Sequence, residues 1–492
     1  MKNKIQLCTY ADRFGGKGIS IVNELVKNSV SGAFGGVHLL PFYYPIDGAD
    51  AGFDPVDHTQ VDEKVGDWSD VTRLSSTHDI MADVIVNHMS AQSKEFADFL
   101  ANGDASQYSD LFLTFESVFP DGATEQQLVD LYRPRPGLPF TKVKFADGKE
   151  RMLWTTFTAD QVDIDVNSES GARYLTNILD RLQSSNVGMI RLDAAGYAIK
   201  KAGTRCFMTD ETFAFIDEFT GQAHARNMEV LVEIHAHYLT QVAIAKKSDW
   251  VYDFALPPLV LHTLIFGDSA PLQNWFKVSP RNAVTVLDTH DGIGIIDVAA
   301  EKNVGPGLLS DSQVDSLVEA IHENSNGNSR KATGAAASNV DLYQVNCTYY
   351  DALGADDQKY LMARLIQFFA PGIPQVYYVG LLAGENDMEL LSATGVGRDI
   401  NRRYYSVEDV QQQLQRPVVR NLLGLMRFRN EHPAFAGEFS CESTEPNRLK
   451  IHWNQSEASL ALTVDLAKMT FEVVSLRDEQ ETVICDWHSF SD

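Results

Sequence analysis

Short runs of apolar residues, many of them β-branched, recur along most of the chain, and amphipathic stretches separate them. Most of these runs are continuously apolar, which is typical of parallel strands that are buried on both faces. Stretches such as GARYLTNILDRLQSS and DDQKYLMARLIQFFA have the spacing of helices with one apolar face. Strands that alternate with helices indicate an α/β fold with a parallel sheet and right-handed crossovers. The predicted strands are KIQLCTYA, GVHLLPF, MADVIVNH, VGMIRLD, MEVLVEI, WVYDFAL, AVTVLDTHD and GIPQVYYVG, and this number favours a closed (β/α)8 TIM barrel.

Two gaps between predicted strands are too long for a single crossover helix. Residues 89–166 are rich in proline, glycine and aromatic residues, and we expect an inserted subdomain B there, because structureless loops of that length are uncommon in compact domains. Residues 292–355 contain the run ENSNGNSRKATGAAASN, whose small polar residues favour an inserted subdomain B′ with a mobile loop beside the site. The catalytic barrel is then expected to comprise residues 1–88, 167–291 and 356–435.

The end of the chain follows a different period. Leu449, Ile451 and Trp453 alternate with polar residues, and a similar alternation recurs at residues 460–464 and 471–473. Period-two patterning separated by turns is typical of antiparallel strands with one buried face. Residues 436–492 are therefore predicted to form a small C-terminal antiparallel β domain.

The composition restricts the classes of partner. The chain has 67 acidic and 41 basic residues and a formal net charge of −26, which disfavours binding to nucleic acid or to an anionic membrane. Good solubility or a saline habitat would each explain this charge. The first residues, MKNKIQLCTYADRFGG, lack the apolar run of a signal peptide, and no apolar stretch is long enough to span a membrane. The five cysteines are scattered without CxxC spacing, so we expect reduced packing residues in a cytoplasmic protein.

Three carboxylates follow predicted strands in matching contexts. They are Asp193 in MIRLDAAGY, Glu233 in VLVEIHAH and Asp291 in VLDTHDGIG. The carboxyl ends of the strands of a parallel barrel form the rim at which barrel enzymes do their chemistry. Paired carboxylates on such a rim are the groups that cleave glycosidic bonds. Rim salt bridges are the alternative, but three matching contexts favour catalysis.

The neighbouring residues suggest roles for two of the carboxylates. Arg191 lies two residues before Asp193 on the same strand, so both side chains point to the same side. A fixed cation there would lower the pKa of Asp193 and keep it ionised as a nucleophile. Glu233 follows an apolar run, and an apolar setting would raise its pKa toward that of a usable general acid.

These segments resemble the conserved motifs of the α-amylase clan, glycoside hydrolase family 13. The resemblance is carried by DVIVNH, IRLDAAGY, VEIHAH and LDTHD. The longer segments DGADAGFDPVDH, YRPRPGLPF, AASNVDLYQVNCTYY and GRDINRRYY resemble the sucrose phosphorylases in particular, and this similarity covers nearly the whole chain. It implies Asp193 as nucleophile, Glu233 as acid/base and Asp291 as transition-state stabiliser.

The resemblance also implies a set of binding residues. The residues implied to contact the substrate are Asp50, Phe53, His88, Phe157, Arg191, Tyr197, His235, His290, Asp341, Gln344 and Arg398. The residues implied to bind phosphate are Arg135, Tyr343 and His235. An arginine suits this task because its guanidinium donates two parallel hydrogen bonds, although a surface salt bridge is the alternative for Arg135 taken alone.

The implied activity is that of a glycosyltransferase-type phosphorylase. It would convert sucrose and inorganic phosphate into α-D-glucose 1-phosphate and D-fructose by double displacement with retention, and transfer to other acceptors would be possible. Neither a cofactor nor a metal is expected: some amylases bind calcium near positions like Asn87, but no cluster in this sequence demands it. A cytoplasmic homodimer is implied.

Several alternatives remain open from the sequence. A related phosphorylase would act on sucrose 6′-phosphate, glucosylglycerol or glucosylglycerate, and a hydrolase or transglucosidase would use sucrose without requiring phosphate. A non-catalytic barrel protein is disfavoured because such proteins typically lose the carboxylates, and all three are present here.

Overall fold

A closed barrel of eight parallel strands forms the centre of the molecule. The computed structural model describes residues 1–16, 18–48, 50–134, 137–302, 304–333 and 344–490. Each strand pairs with the preceding and following barrel strands, and the last pairs with the first. The strands are β1 (Gln6–Thr9), β2 (Gly36–Leu39), β3 (Asp79–Ile85), β4 (Met189–Asp193), β5 (Glu229–Val232), β6 (Trp250–Asp253), β7 (Ala283–Thr285) and β8 (Ile373–Tyr377). The predicted (β/α)8 barrel is confirmed.

Helices connect the barrel strands and cover their outer faces. In the helix before β4, Ser168 caps the amino terminus by accepting a hydrogen bond from the Gly171 amide at 2.9 Å. A cap of this kind contributes about 1 kcal/mol. The residues that this helix buries at helical spacing are Leu175, Ile178, Leu179 and Leu182. The crossover helices are Ile19–Glu24, Trp68–Ser75, Glu169–Ser184, Asp210–His224, Tyr238–Ala245, Leu256–Phe266, Ala270–Val278 and Asp357–Phe369, and helix Pro417–Glu431 follows β8. Within the described ranges, none of the helices has the length and apolar composition that a bilayer crossing requires.

Strand alternation divides the residues of each barrel strand between two environments. In β4, Ile190 and Leu192 belong to the large core between barrel and helices. Met189 instead packs inside the barrel, in a cluster whose members are Met81, Met189, Leu231, Tyr252, Phe254, Val284 and Val286. Arg191 and Asp193 share the inward direction of Met189 but lie nearer the carboxyl end. The barrel is therefore filled by apolar residues below and carries charged residues at its rim.

A first insertion follows β3 and packs beside the rim. Its short strand Gln161–Asp163 returns to pair antiparallel with His88–Ser90. Between them lie the helices Lys94–Asn102, Phe115–Val118 and Glu125–Asp130, and a hairpin of Phe140–Lys144 with Glu150–Trp154. The insertion also packs against the loop after β4 through a separate apolar cluster, whose buried members are Leu113, Val118, Phe119, Leu131 and Trp154 of the insertion and Cys206 of that loop.

A second insertion separates β7 from β8. The short strand Ile293–Gly294 pairs with Gln344–Val345, so the chain returns to the rim at Gln344. The helices between β7 and β8 are Asp311–Asn324, Asn328–Thr333 and Tyr349–Ala352, followed by the crossover helix. Residues 334–343, which include part of the predicted mobile loop, lie outside the described residues. Beyond β8, the short helices are Tyr378–Leu381, Met388–Thr394 and Val407–Gln413.

The C-terminal region forms a five-stranded antiparallel sheet, as predicted. Its strands are β9 (Glu438–Glu442), β10 (Arg448–Gln455), β11 (Ala458–Asp465), β12 (Thr470–Arg477) and β13 (Gln480–Ile484). Leu449, Ile451 and Trp453 of β10 are buried, whereas alternate residues face outward. The Trp453 indole donates a hydrogen bond to the Phe369 carbonyl at 2.8 Å, which fixes this sheet against the crossover helix before β8.

Candidate active site

Asp193 and Glu233 are neighbours at the rim of the barrel. Asp193 is the last residue of β4, and Glu233 directly follows β5. One guanidinium contacts both carboxylates: Arg191 Nη1 is 3.1 Å from Asp193 Oδ1, and Arg191 Nη2 is 2.5 Å from Glu233 Oε1. Because a guanidinium is small and planar, two carboxylates that it binds through adjacent nitrogens lie close together. A short separation of two carboxylates is the arrangement that a retaining glycoside mechanism uses.

Arg191 is itself fixed from below. Its side chain is buried and forms a third ion pair with Asp83 of β3, whose carboxylate also lies 3.0 Å from His38 Nε2. Burial acts to raise the pKa of Asp83, but the charges of Arg191 and His38 outweigh it and lower the pKa to about 2. Asp83 therefore remains ionised and holds the guanidinium in place. The sequence analysis did not select Asp83, although a carboxylate that interrupts an apolar strand was an available signal.

The structure reverses the expected order of the two carboxyl pKa values. Burial acts to raise the pKa of Glu233, but Arg191 and then His235 outweigh it, and the pKa falls to about 2. Burial and the charge of Glu233 raise the pKa of Asp193 well above its usual range, despite Arg191. The expectation of an apolar setting for Glu233 was wrong because its neighbours in sequence are apolar but its neighbours in space are Arg191 and His235.

Asp291 completes the group of acidic residues from the loop after β7. Its Oδ1 is 2.8 Å from Arg398 Nη1, 3.8 Å from His290 Nε2 and 3.8 Å from Arg402 Nη2. Burial is the largest influence on its pKa and acts upward, but Arg398 and the neighbouring histidines outweigh it and lower the pKa. Asp291 is therefore a fixed negative charge, suited to hold sugar hydroxyls and to stabilise positive charge that develops nearby.

Aromatic rings form two walls of the site. The Phe53 and His290 rings are stacked with centroids 4.9 Å apart, and Arg191 lies 5.6 Å from the Phe53 centroid. Phe157 packs edge-on against His88 at 5.3 Å and against Tyr197 at 5.2 Å. Ring faces carry negative charge density, so such walls suit the apolar face of a sugar and an oxocarbenium-like centre.

A cavity of about 300 Å³ lies between these groups, near the lower end of the range of roughly 300–1,000 Å³ typical of small-molecule sites. The sequence-predicted residues that line it are Asp50, Phe53, His88, Phe157, Asp193, Tyr197, Glu233, His235, His290, Asp291, Gln344 and Arg398. Arg191 lies directly behind Asp193 and Glu233. Arg135, Asp341 and Tyr343 lie outside the described residues, and their roles stay predictions.

The structure adds lining residues that the sequence analysis did not assign to the site. Tyr132 stacks on Phe207 with centroids 4.2 Å apart, and both line the cavity beside Tyr197. Arg133 and Gln161 also line it. Tyr132 and Arg133 stand in the motif YRPRPG, so that motif carried a usable signal. No sequence signal pointed to Phe207, because only the tertiary structure brings the loop that carries it to the cavity.

A lysine contacts Asn87, the position near which some amylases bind calcium. Lys200 Nζ is 2.8 Å from Asn87 Oδ1 and 2.8 Å from Asp163 Oδ2, and it also donates to the Tyr197 carbonyl. A buried ammonium thus compensates Asp163 at this place. A second convergence, of Glu233, His235 and Asp291, brings ligand atoms within 4.8 Å of one another. Arg191 and Arg398 already bind its two carboxylates, so this group is compensated by protein cations.

Comparisons with known proteins agree with this geometry. Residues 33–251 match the family model described as alpha amylase, catalytic domain. The chain is 58% identical over 468 residues to a sucrose phosphorylase of Agrobacterium vitis, and the match covers 95% of this chain and 96% of that protein. It is 54% identical over 467 residues to a sucrose phosphorylase of Bifidobacterium adolescentis, with 94% and 92% of the two chains covered.

A solved structure shows the same architecture over the full length. The crystal structure of sucrose 6F-phosphate phosphorylase from Thermoanaerobacter thermosaccharolyticum superimposes with a TM-score of 0.90 at 36% sequence identity. The match covers 99% of this chain and 98% of that chain. The similarity therefore includes the barrel, both insertions and the C-terminal sheet.

Proposed function

This chain belongs to the sucrose phosphorylases of the α-amylase family, and on that premise we propose that it converts sucrose and phosphate into α-D-glucose 1-phosphate and D-fructose with retention. The observation that carries the proposal is the contact of one buried guanidinium, Arg191, with both Asp193 and Glu233 at the base of a sugar-sized cavity. Two carboxylates that contact one guanidinium lie close together, which supports the proposed roles of Asp193 as nucleophile and Glu233 as acid/base in a double displacement.

In the first half-reaction, Asp193 attacks the anomeric carbon of the glucosyl unit. The bond from that carbon to the fructosyl oxygen breaks, and Glu233 gives its proton to the departing oxygen. This step requires a protonated Glu233 and an ionised Asp193, although in the free site the pKa of Glu233 is lowered and that of Asp193 is raised. Positive charge that develops at the anomeric carbon stabilises ionised Asp193 in the transition state.

In the second half-reaction, a phosphate oxygen attacks the same carbon. The ester bond to Asp193 breaks and restores its carboxylate, and Glu233 takes up the proton of the attacking phosphate. Two inversions give net retention. Asp291 and Arg398, joined at 2.8 Å, are proposed to hold the sugar hydroxyls at the closed end of the cavity with Asp50. Arg135 and Tyr343 are proposed to bind phosphate together with His235, and Asp341 to contact fructose.

The test is a balance of products. The protein is incubated with sucrose with and without inorganic phosphate, and glucose 1-phosphate, fructose and free glucose are quantified. We expect phosphate-dependent glucose 1-phosphate equal to the fructose released. Asp193→Asn should abolish both, whereas Asp478→Asn, at a carboxylate 81% exposed in the C-terminal sheet, should not. Fructose with mostly free glucose would indicate a hydrolase and contradict the proposal.

A second candidate is phosphorolysis of sucrose 6′-phosphate. The structural match to a sucrose 6F-phosphate phosphorylase favours it, but at 36% identity this match is weaker than those at 58% and 54%. The same assay with sucrose 6′-phosphate as donor separates the two. A preference for the phosphorylated donor would replace the first proposal.

We also propose a cytoplasmic homodimer. The cysteines Cys8, Cys206, Cys347, Cys441 and Cys485 are all free thiols, which is consistent with a reducing compartment. Light scattering on the purified protein gives the oligomeric state directly, and a monomeric mass at working concentration would contradict the dimer.

A further inference from the structure

A buried carboxylate that the proposed mechanism does not use lies behind His235. Asp297 Oδ2 is 3.7 Å from His235 Nδ1, and the Asp297 side chain is fully buried. On its other side, His235 Nε2 is 3.7 Å from Glu233 Oε1 and 4.0 Å from Asp291 Oδ2. The imidazole ring also stacks on Phe254 with centroids 3.9 Å apart. His235 thus stands between a buried carboxylate and the two carboxylates that face the cavity.

The surroundings of Asp297 fix its orientation. Gln241 Nε2 donates to Asp297 Oδ1 at 2.7 Å and to the Ala236 carbonyl at 3.0 Å, which connects Asp297 to the segment that carries His235. Gly294 leaves the space that the other oxygen occupies, because a Cβ at this position would lie 2.4 Å from Asp297 Oδ2. A side chain at residue 294 would therefore displace the carboxylate that faces the histidine.

The charges around His235 favour its protonated form. The carboxylates that face it are those of Glu233, Asp291 and Asp297. Of these, Glu233 is paired with Arg191, and Asp291 is paired with Arg398 and Arg402. Burial acts to lower the pKa of His235, but the interactions with Asp297 and Glu233 outweigh it and raise the pKa to about 9. A histidine in this position carries a positive charge at neutral pH.

The two substrates of the proposed reaction make different demands on this charge. Sucrose is neutral, whereas phosphate is an anion that must approach a carbon surrounded by Asp193, Glu233 and Asp291. We propose that Asp297 is a positioning residue that holds His235, and its positive charge, in place to receive phosphate in the second half-reaction. This inference rests on the proposed function and assigns a role to a residue that does not itself touch substrate.

The test compares Asp297→Asn with the wild type at each half-reaction. At metal sites, loss of the carboxylate behind a histidine typically costs about 10–100-fold, and by analogy we expect the KM for phosphate to rise about tenfold or more. The rate of the first-turnover burst of fructose release from sucrose without phosphate reports the first half-reaction, and it should change by less than about twofold, since that step binds no anion. Asp253→Asn is the matched control, because Asp253 is also a buried barrel carboxylate but bonds to Trp275 and the Leu256 amide instead.

The pH profile separates positioning from general damage. In the wild type the KM for phosphate should stay low until His235 loses its proton near pH 9. In Asp297→Asn the KM should begin to rise nearer the ordinary histidine pKa of about 6.5. A phosphate KM within twofold of wild type, or an equal loss in both half-reactions without a shift of the profile, would overturn the inference.

A measurement on the wild type keeps the inference testable if the variant does not fold. The His235 ring is assigned in ¹⁵N-histidine-labelled protein by the loss of its signal in His235→Gln. We expect a protonated ring at neutral pH, and a neutral ring would overturn the inference. Wild-type protein that makes no glucose 1-phosphate would instead refute the proposed function, so the two failures are distinct.

Discussion

Replacement of Lys200 by methionine tests whether a buried ammonium stabilises the walls of the site. Lys200 Nζ contacts Asp163 of the first insertion, Asn87 beyond β3 and the Tyr197 carbonyl beyond β4. Its side chain is 1% exposed and that of Asp163 is fully buried. Methionine has a similar length and retains the packing near Trp154, so Lys200→Met removes the charge and its donors with little loss of volume.

The expected loss in the free energy of unfolding depends on Asp163, the partner that remains. Removal of one member of a buried ion pair leaves an uncompensated charge and costs about 3–5 kcal/mol. Asp163 keeps hydrogen bonds from the Thr156 amide and hydroxyl, so the lower end of that range is expected. With an unfolding entropy of about 2.1 cal/mol/K per residue, a chain of 492 residues loses about 1 °C in Tm per kcal/mol. Lys200→Met should therefore lower Tm by about 3 °C.

Differential scanning calorimetry at neutral pH gives this shift, and Lys201→Met is the matched control. Lys201 is the next residue but is 55% exposed and pairs with Glu211 at the surface, so its loss should leave Tm unchanged within error. The double variant Lys200→Met with Asp163→Asn should be more stable than Lys200→Met alone, because no unpaired charge remains. A Tm within 1 °C of wild type for Lys200→Met would refute the reasoning.

Three further outcomes are expected. Glu233→Gln should lower kcat with sucrose at least about 100-fold, which is the typical contribution of a general acid. The loss should be much smaller with a glucosyl donor whose leaving group needs no proton. Equal losses with both donors would contradict the acid role. Arg398→Ala removes the 2.8 Å ion pair with Asp291 and the proposed contact with the sugar hydroxyls. It should raise the KM for sucrose about tenfold, as expected for the loss of a hydrogen bond to a charged group, which steady-state kinetics will show. Burial raises the pKa of Asp253 to about 7, so the folded state holds this proton more tightly than the unfolded chain. Its stabilising contribution is complete below about pH 4 and is lost as the pH rises through about 7, and urea unfolding across this range should show a flatter dependence for Asp253→Asn.

Residues whose role depends on their own strand could be predicted from the sequence. The continuous apolar runs predicted the eight barrel strands, because a strand buried on both faces is predominantly apolar. In the C-terminal region, apolar residues at every second position predicted strands with one buried face, and this pattern is also local. Asp193 and Glu233 could be selected because the carboxyl end of a barrel strand is visible in sequence as the point where an apolar run stops.

Residues whose role depends on contacts between distant segments could not be predicted. Asp297 lies 62 positions from His235, and Lys200 lies 113 positions from Asn87, so no local pattern relates them. The predicted directions of the pKa shifts of Asp193 and Glu233 were wrong for this reason as well, because Arg191 contacts Glu233 across the rim.

The barrel, its eight strands and the acidic residues at its rim could all be predicted from the sequence. These follow from hydrophobic periodicity and from motifs, both of which are local properties of the chain. The tertiary structure alone decided which cation meets which carboxylate, because Coulomb interactions depend on distances in space and on burial. Closure of the barrel sets those distances and brings Arg191, His235 and Lys200 into contact with their partners.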